Sequence, residues 1–279
     1  MVNNMFELKM LKSDLEDMLK KMSLPTGKED FTFPVIAPMF TPDGGLEWVA
    51  ITKNITVWIR ARNLSIVGIS EPTRIPFRVK DVLSTLNFFD KDDIISITHD
   101  VERGEDVFTT TENEKRKKTT RIPSVIIADV TGMKEAFPGK IGEDGVIILK
   151  NGRPSLHVEC DSKIFKELVT NTNLVMGAKK KEEIPDTYHI TFDGSNGRLE
   201  TVAGDKNDRA HQSLVDEVYS PTVEGDGTVH YSMGFPDLMN ALVGDIHVYC
   251  MINGPMWVAQ HGTTLSVRYL IPPSNFGRE

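Results

Sequence analysis

Cysteine is scarce in this chain: Cys160 and Cys250 are the only two in 279 residues. That excludes a disulfide-stapled scaffold and makes a reducing compartment the natural setting. Long hydrophobic runs are missing too. No apolar stretch approaches the ~20 residues that cross a bilayer, and Met1 to Leu11 mixes Asn, Glu and Lys with single apolar residues instead of forming an apolar signal core. The expectation is a soluble, cytoplasmic protein with no membrane association. Excess positive charge is also absent. The formal net charge of −8 argues against a protein that grips nucleic acid with its whole surface, but leaves room for a locally basic face. Hydrophobic residues still make up 39% of the chain, enough to bury a core.

The signatures of catalysis are likewise missing. Pro138-Gly139-Lys140 runs into Ile141, where a phosphate-binding loop needs Ser or Thr. Gly194 and Gly197 fall in a hairpin turn and do not open a helix, so no dinucleotide fingerprint forms. There is no H-E-x-x-H, no C-x-x-C and no G-x-S-x-G. His189 and His247 fall on predicted strands, where packing competes with a ligand role. Asp90, Asp92 and Asp93 are the densest acidic cluster: either a solvated turn ending a helix or an oxygen site for a divalent cation. Cys160 and Cys250 read as small core residues, since no neighbouring His or basic residue would lower the thiol pKa. The residues point to a protein that is not an enzyme and uses no cofactor and no metal.

What is present is a duplication. Phe77 to Leu86 leads into Asp93 to Ile97, and Met233 to Leu242 leads into Gly244 to Val248. Each copy reads as a short strand, a short amphipathic helix beginning near an Asp, a tight turn and a strand. Asp81 falls on Asp237 and Leu86 on Leu242. A second, earlier unit repeats as well. Phe6 to Leu11 alternates as a strand, Ser13 and Glu16 form a capping-box pattern, and Leu15, Met18, Leu19 and Met22 follow at helical spacing. In the second half Leu156, Val158 and Cys160 alternate, Asp161 or Ser162 caps a helix, and Leu15 falls on Ile164 and Leu19 on Leu168. Repeats of this kind decide the fold before local detail does.

Between these units lie predicted strands. Leu46 to Ile59 carries a hairpin turn at Lys53-Asn54, and Leu64 to Ile69, Asp106 to Thr111 and Thr120 to Ala128 are further strands, with a charged tip at Glu112 to Lys118. Later strands are Thr187 to Phe192, Arg198 to Ala203, His211 to Val218, Val229 to Met233, Ile246 to Ile252, Met256 to Gln260 and Thr264 to Ile271, with a strong turn at Asn253-Gly254. Phe31 to Phe40, broken by Pro34 and Pro38, is an edge strand or an irregular loop. Gly and Pro punctuate Val130 to Pro154. The organisation is therefore an N-terminal domain over 1–129, a connector over 130–154 and a C-terminal domain over 155–279. Sequential strands with few helices make the fold class α+β with antiparallel sheets.

Basic residues gather on or beside the helices: Lys12, Lys20, Lys21, Lys80, Lys163 and Lys166, followed by the run Lys179, Lys180 and Lys181. Signs are mixed, since Asp14, Glu16 and Asp17 share the first helix and the helix from Pro236 has no lysine. Ordinary solvated helix positions are the plain alternative.

A duplicated strand–helix–strands–helix–strands unit with helix lysines and an acidic total resembles the DNA sliding clamps. The likeness is sharpest at Val229 to Met233, the helix from Pro236, Gly244-Asp245-Ile246, the Asn253-Gly254 hairpin and Val267-Arg268-Tyr269-Leu270-Ile271-Pro272. The last of these is similar to the Tyr-Leu-x-Pro ending of archaeal and eukaryotic clamps; the two-domain length fits the trimeric branch, which includes phage clamps. The resemblance implies the DNA clamp fold: two similar domains, each with antiparallel sheets and two short helices, in a homotrimeric ring. It implies double-stranded DNA bound without sequence preference by the lysines named above, a DNA polymerase and a clamp loader as partners, and a partner-peptide pocket near Met133, Phe137, Ile271 and Pro272. The long connector and the Pro-broken stretch depart from the family pattern. Two other readings stay open: a clamp-fold accessory subunit without a ring, and a two-domain β-rich enzyme or binding module with a dispersed site.

Overall fold

The computed structural model describes residues 6–26, 30–52, 55–100, 102–112, 116–135, 137, 139–142, 146–149, 152–177, 187–203, 214–219, 222–232 and 241–272. The chain forms two compact units. The first comprises Met1–Ile51, Val57–Glu135 and Gly262–Val267; the second comprises Thr52–Thr56, Ala136–His261 and Arg268–Glu279.

The first unit opens with β1 (Phe6–Leu11), which runs straight into α1 (Lys12–Ser23). Alternation buries Phe6 and Leu8 and leaves Lys9 out. In α1, Leu15, Met18, Leu19 and Met22 form the buried stripe expected of a 3.6-residue period. The capping box does not form. Leu11 occupies the N-cap without a side-chain bond, and Ser13 lies inside the first turn. The residue at the strand-to-helix junction is Leu11, whose side chain offers no acceptor, and the Lys12 N–H is satisfied by the Asp93 carbonyl at 2.9 Å. Leu24, left-handed at φ 52°, ends the helix, and the Trp48 indole donates to the Met22 carbonyl at 3.2 Å.

The Pro-broken stretch resolves into two short strands, β2 (Val35–Ile36) and β3 (Met39–Phe40). β4 (Leu46–Ile51), β5 (Thr56–Ala61), β6 (Ser65–Val67), β7 (Thr73–Arg74) and β8 (Phe77–Arg78) follow. β2 pairs with β8, and β3 with β4 and β7. α2 (Val79–Leu86) then leads to β9 (Ile94–Asp100), β10 (Glu105–Glu112) and β11 (Arg116–Pro123). Of the charged tip expected over Glu112 to Lys118, Glu112 and Arg116 to Lys118 are strand, paired as far as Glu112 with Arg116, and 113–115 lie outside the described residues. The strand expected to reach Ala128 stops at Pro123, and Ile127–Asp129 is a 3-10 turn. The five-stranded sheet has the order β11-β10-β9-β1-β6. Lys53-Asn54 lies outside the described residues.

In the second unit, β12 (Lys140–Ile141) and β13 (Ile147–Ile148) pair in the stretch read as connector. β14 (Leu156–Asp161) runs directly into α3 (Ser162–Gly177), repeating the opening of the first unit. Here Asp161 does cap: its carboxylate accepts from the Lys163 N–H at 2.7 Å. β15 (Thr187–Asp193), β16 (Arg198–Ala203), β17 (Leu214–Tyr219) and β18 (Asp226–Ser232) make a sheet of order β17-β16-β15-β18. β19 (Asp245–Cys250) pairs with β14 on one side and β20 (Met256–His261) on the other. Asn253, at φ 58°, makes the turn between β19 and β20, and β21 (Leu265–Ile271) ends the described elements. Most of the helix expected from Pro236 lies outside the described residues. Leu242 is buried, like its counterpart Leu86. The result is an α+β fold with two similar antiparallel domains.

Candidate functional site

The nine lysines assigned to DNA fall into three groups. Lys20 and Lys80 on the first unit's helices, and Lys163 and Lys166 on α3, have exposed side chains. Lys12 and Lys21 are engaged within the protein. Lys12 Nζ donates to the Phe89 carbonyl at 2.8 Å and lies 3.6 Å from Glu16. Lys21 is buried and its Nζ reaches Asp17 at 2.6 Å. Lys179, Lys180 and Lys181 lie outside the described residues. On α1 the charges cancel, with Asp14, Glu16 and Asp17 against Lys12, Lys20 and Lys21; α3 carries Lys163 and Lys166 against Glu167.

The pocket residues divide between the units. Met133 belongs to the first, where it bridges to Ala50. The Ile51 N–H donates to the Gly132 carbonyl at 2.7 Å and the Lys134 N–H to the Val49 carbonyl at 2.9 Å, so the chain here extends the edge of β4. Gly132 has φ 72°, and a Cβ there would lie 2.7 Å from the Ile51 carbonyl oxygen. Arg74 straps the segment by donating to the carbonyls of Ala37 and Lys134 at 3.1 and 3.4 Å. Phe137, Ile271 and Pro272 belong to the second unit. Phe137 is half-buried, with Gly139 and Leu149 as neighbours. Ile271 is buried, so it can serve a docking groove only as its floor, and Pro272 is exposed.

The acidic turn is built around a lysine. Asp93 accepts from the Asp90 N–H at 2.8 Å, closing the turn. The ammonium of Lys118, from β11, sits 2.8 Å from Asp90 and 4.0 Å from Asp93. Among the described residues no group of three or more His, Cys, Asp or Glu side chains could hold a metal ion. Burial, with Asp161, Asp245 and Glu159 nearby, pushes the Cys160 thiol up to about 12, far from a nucleophile's range.

Two constellations escaped the sequence reading because strand pairing, not a motif spacing, brings their members together. Buried His99 and Asp106 are joined at 2.6 Å, with Ser124 Oγ 3.2 Å from the same carboxylate oxygen. Ser124 approaches His99 at Nδ1, 3.4 Å away, the nitrogen already facing Asp106. A nucleophile would need the opposite nitrogen, so the trio is a clamp across β9, β10 and β11. The second is a layer of His157, His247 and Tyr249 on β14 and β19.

The sheet edges carry opposite charge. β11 ends the first unit's sheet and presents Lys117, Lys118 and Arg121. β17 ends its own sheet and presents Asp216 and Glu217. Glu217 is 2.6 Å from Arg198, and Asp216 accepts from Asn171 of α3 at 3.0 Å.

No protein-family profile and no curated protein sequence matches the chain. Solved structures do. Proliferating cellular nuclear antigen from Entamoeba histolytica superposes with a TM-score of 0.71 at 8% identity, over 98% of this chain and 100% of that one. The A. fulgidus antigen, solved with the C-terminal region of FEN-1 bound, gives 0.67 at 11% identity over 96% and 98% of the two chains. A PCNA2–PCNA3 complex from Sulfolobus tokodaii gives 0.64 at 13% identity over 96% and 98%. The chain has the DNA sliding-clamp fold, as the repeated units and the Tyr269-Leu270-Ile271-Pro272 ending led us to expect.

Proposed function

We propose that this protein is a replication sliding clamp, whose copies close head to tail into a ring around duplex DNA and tether a DNA polymerase and other replication proteins. The observation that carries the reading is the pair of oppositely charged open edges, β11 and β17, on a chain with the clamp fold. An open edge is a template for another chain's strand, and a head-to-tail contact between two different edges closes when the rotation permits. The helix side of each edge is marked: Lys118 reaches the turn after α2 and Asp216 reaches α3. Phe88 in that turn is 68% exposed, and Tyr219 at the end of β17 is 69% exposed, so apolar contact can accompany the charge pairing.

In the ring reading, Lys20, Lys80, Lys163 and Lys166 face phosphates, with Lys179, Lys180 and Lys181 adding charge. Diffuse lysine–phosphate attraction holds duplex without reading sequence and leaves sliding free. Met133, Phe137, Ile271 and Pro272 are the residues proposed to contact partner peptides. The chain acts in the cytoplasm, as a homotrimer loaded by a clamp loader. A second reading, an accessory subunit that binds no duplex through its helices, draws on the balanced charge of α1.

Sedimentation equilibrium and a polymerase assay separate them. A ring predicts about three chain masses, and polymerase stimulation on primed circular DNA that is lost on short linear DNA with free ends. A single-chain mass at micromolar concentration rejects the homotrimer.

A further inference from the structure

The second unit holds a device the clamp reading does not use. Its core is the pair His157 and His247, on neighbouring strands. Their rings are almost parallel, at 11°, with centroids 5.5 Å apart. His157 Nε2 lies 3.2 Å from His247 Nδ1. That separation is one nitrogen–nitrogen contact plus two ring radii, so the rings lie edge to edge and share an N–H···N hydrogen bond. On its other side His157 Nδ1 faces Glu224 at 3.3 Å. A carboxylate accepts, so Nδ1 carries the hydrogen. Nε2 is then the acceptor, and His247 donates from Nδ1. The His157 ring also lies flat over Tyr249, with centroids 4.5 Å apart at 12°.

Glu224 belongs to the Thr222–Gly225 segment, which pairs along β14 through reciprocal Glu224–His157 backbone bonds of 2.8 and 3.0 Å. Glu159 follows on β14 itself, and Arg153 lines the same hollow as His157, Glu224 and Tyr249. From β20, the His261 ring centroid is 5.3 Å from that of His247. From β21, Arg268 acts on His261 and opposes its protonation.

We propose that His157 is an acid-operated gate over Tyr249, closed while the two imidazoles share one hydrogen between their facing nitrogens. The pair keeps its bond as long as one of the two facing nitrogens is free to accept. A proton on His157 Nε2 makes both facing nitrogens donors while His247 keeps its hydrogen on Nδ1. The bond is then lost, the His157 cation faces an N–H donor of His247, and the His157 ring turns outward with Glu224 as its partner. Tyr249 and the hollow beside it are uncovered. Burial of His157 holds its pKa below the ordinary 6.5, against the opposing pull of Glu224, so opening belongs to mildly acidic conditions.

The test is NMR on the full chain from pH 8 to 4.5. It follows long-range ¹⁵N–¹H histidine spectra and the nuclear Overhauser contact between the His157 and Tyr249 rings, in the wild type and in His247→Gln. At pH 8 His157 carries its proton on Nδ1. On acidification the ring contact disappears together with the His157 titration. In His247→Gln, whose amide can turn to donate or accept, the His157 midpoint moves upward and the contact with Tyr249 survives protonation. Equal His157 midpoints in both proteins, or a wild-type ring contact that persists after His157 is protonated, overturns the proposal. Should His247→Gln not fold, His261→Gln gives a second reading: the gate predicts an unchanged Nδ1–H tautomer at pH 8, and its loss overturns the assignment.

Discussion

Gly132 shows how much one residue's meaning depends on what it faces. In the sequence it is one of several glycines punctuating a connector. In the structure its positive φ and the nearby Ile51 oxygen leave no place for a Cβ. Gly132→Ala should destabilise the first unit by about 1–3 kcal/mol, read as a lower urea midpoint. The cysteines were legible because their immediate neighbours are acidic or apolar, and the structure adds burial to that. Native protein at pH 7.5 should leave Cys160 unalkylated by iodoacetamide over hours, while unfolded protein reacts fully, as mass spectrometry would show. His261 gives a signed pH dependence. Burial, then Arg268 and His247, lower its folded pKa to about 4 from 6.5. Between these values the unfolded chain binds more protons, so this contribution to stability is complete above pH 6.5 and is lost as the pH falls through 4. His261→Gln should flatten part of the acid limb of a denaturation-midpoint profile; an unchanged slope would contradict the assignment.

At the scale of elements, alternation and helical spacing were read correctly for β1, α1, β14 and α3, because each buries one face and the burial imposes a period. Register was harder. Aligning the observed starts, Phe6 with Leu156 and Lys12 with Ser162, puts Leu15 on Phe165 and Leu19 on Val169. That is one residue beyond the match drawn from spacing alone. Ile164 and Leu168 imitate Leu15 and Leu19 because both pairs are four apart, yet Ile164 is 40% exposed. Capping shows the same limit. Ser13 had the right neighbours for a cap, but the β1–α1 junction hands the first N–H to Asp93, a residue far along the chain. At α3 the first N–H, that of Ser162, likewise goes to a distant carbonyl, Gly244, but Asp161 also accepts from the Lys163 N–H, whereas α1 has no side-chain cap bond. Asp161→Ala should therefore lower stability by about 1 kcal/mol, whereas Ser13→Ala should change it by a few tenths at most. Thermal melts of the two variants, measured side by side, test that contrast.

For the whole molecule, the duplication and the helix lysines were visible in the sequence, but the edges were not. Which strands end a sheet depends on pairing between distant segments, and the expected tip at Glu112 to Lys118 hid the fact that β11 begins inside it. Once the sheet orders are known, charge becomes an assembly argument. Lys117, Lys118 and Arg121 stand on one edge strand, Asp216 and Glu217 on another, among the described residues. If these edges join copies, reversing either sign should disperse the assembly, and reversing both should rebuild it. Lys117→Glu with Arg121→Glu should shift the sedimenting mass toward one chain, as should Asp216→Lys with Glu217→Lys. An equimolar mixture of the two variants should recover larger species through the restored attraction. Pairing within each variant meets like charge on both edges, so that recovery cannot come from either protein alone. Exposed ion pairs contribute only ~0.2–1 kcal/mol each, so the effect is expected at low salt and should shrink as ionic strength rises. Apolar contact through Phe88 and Tyr219 is insensitive to salt by comparison. Phe88→Asp should therefore weaken assembly even in high salt, and that difference in salt response separates the two contributions to one interface.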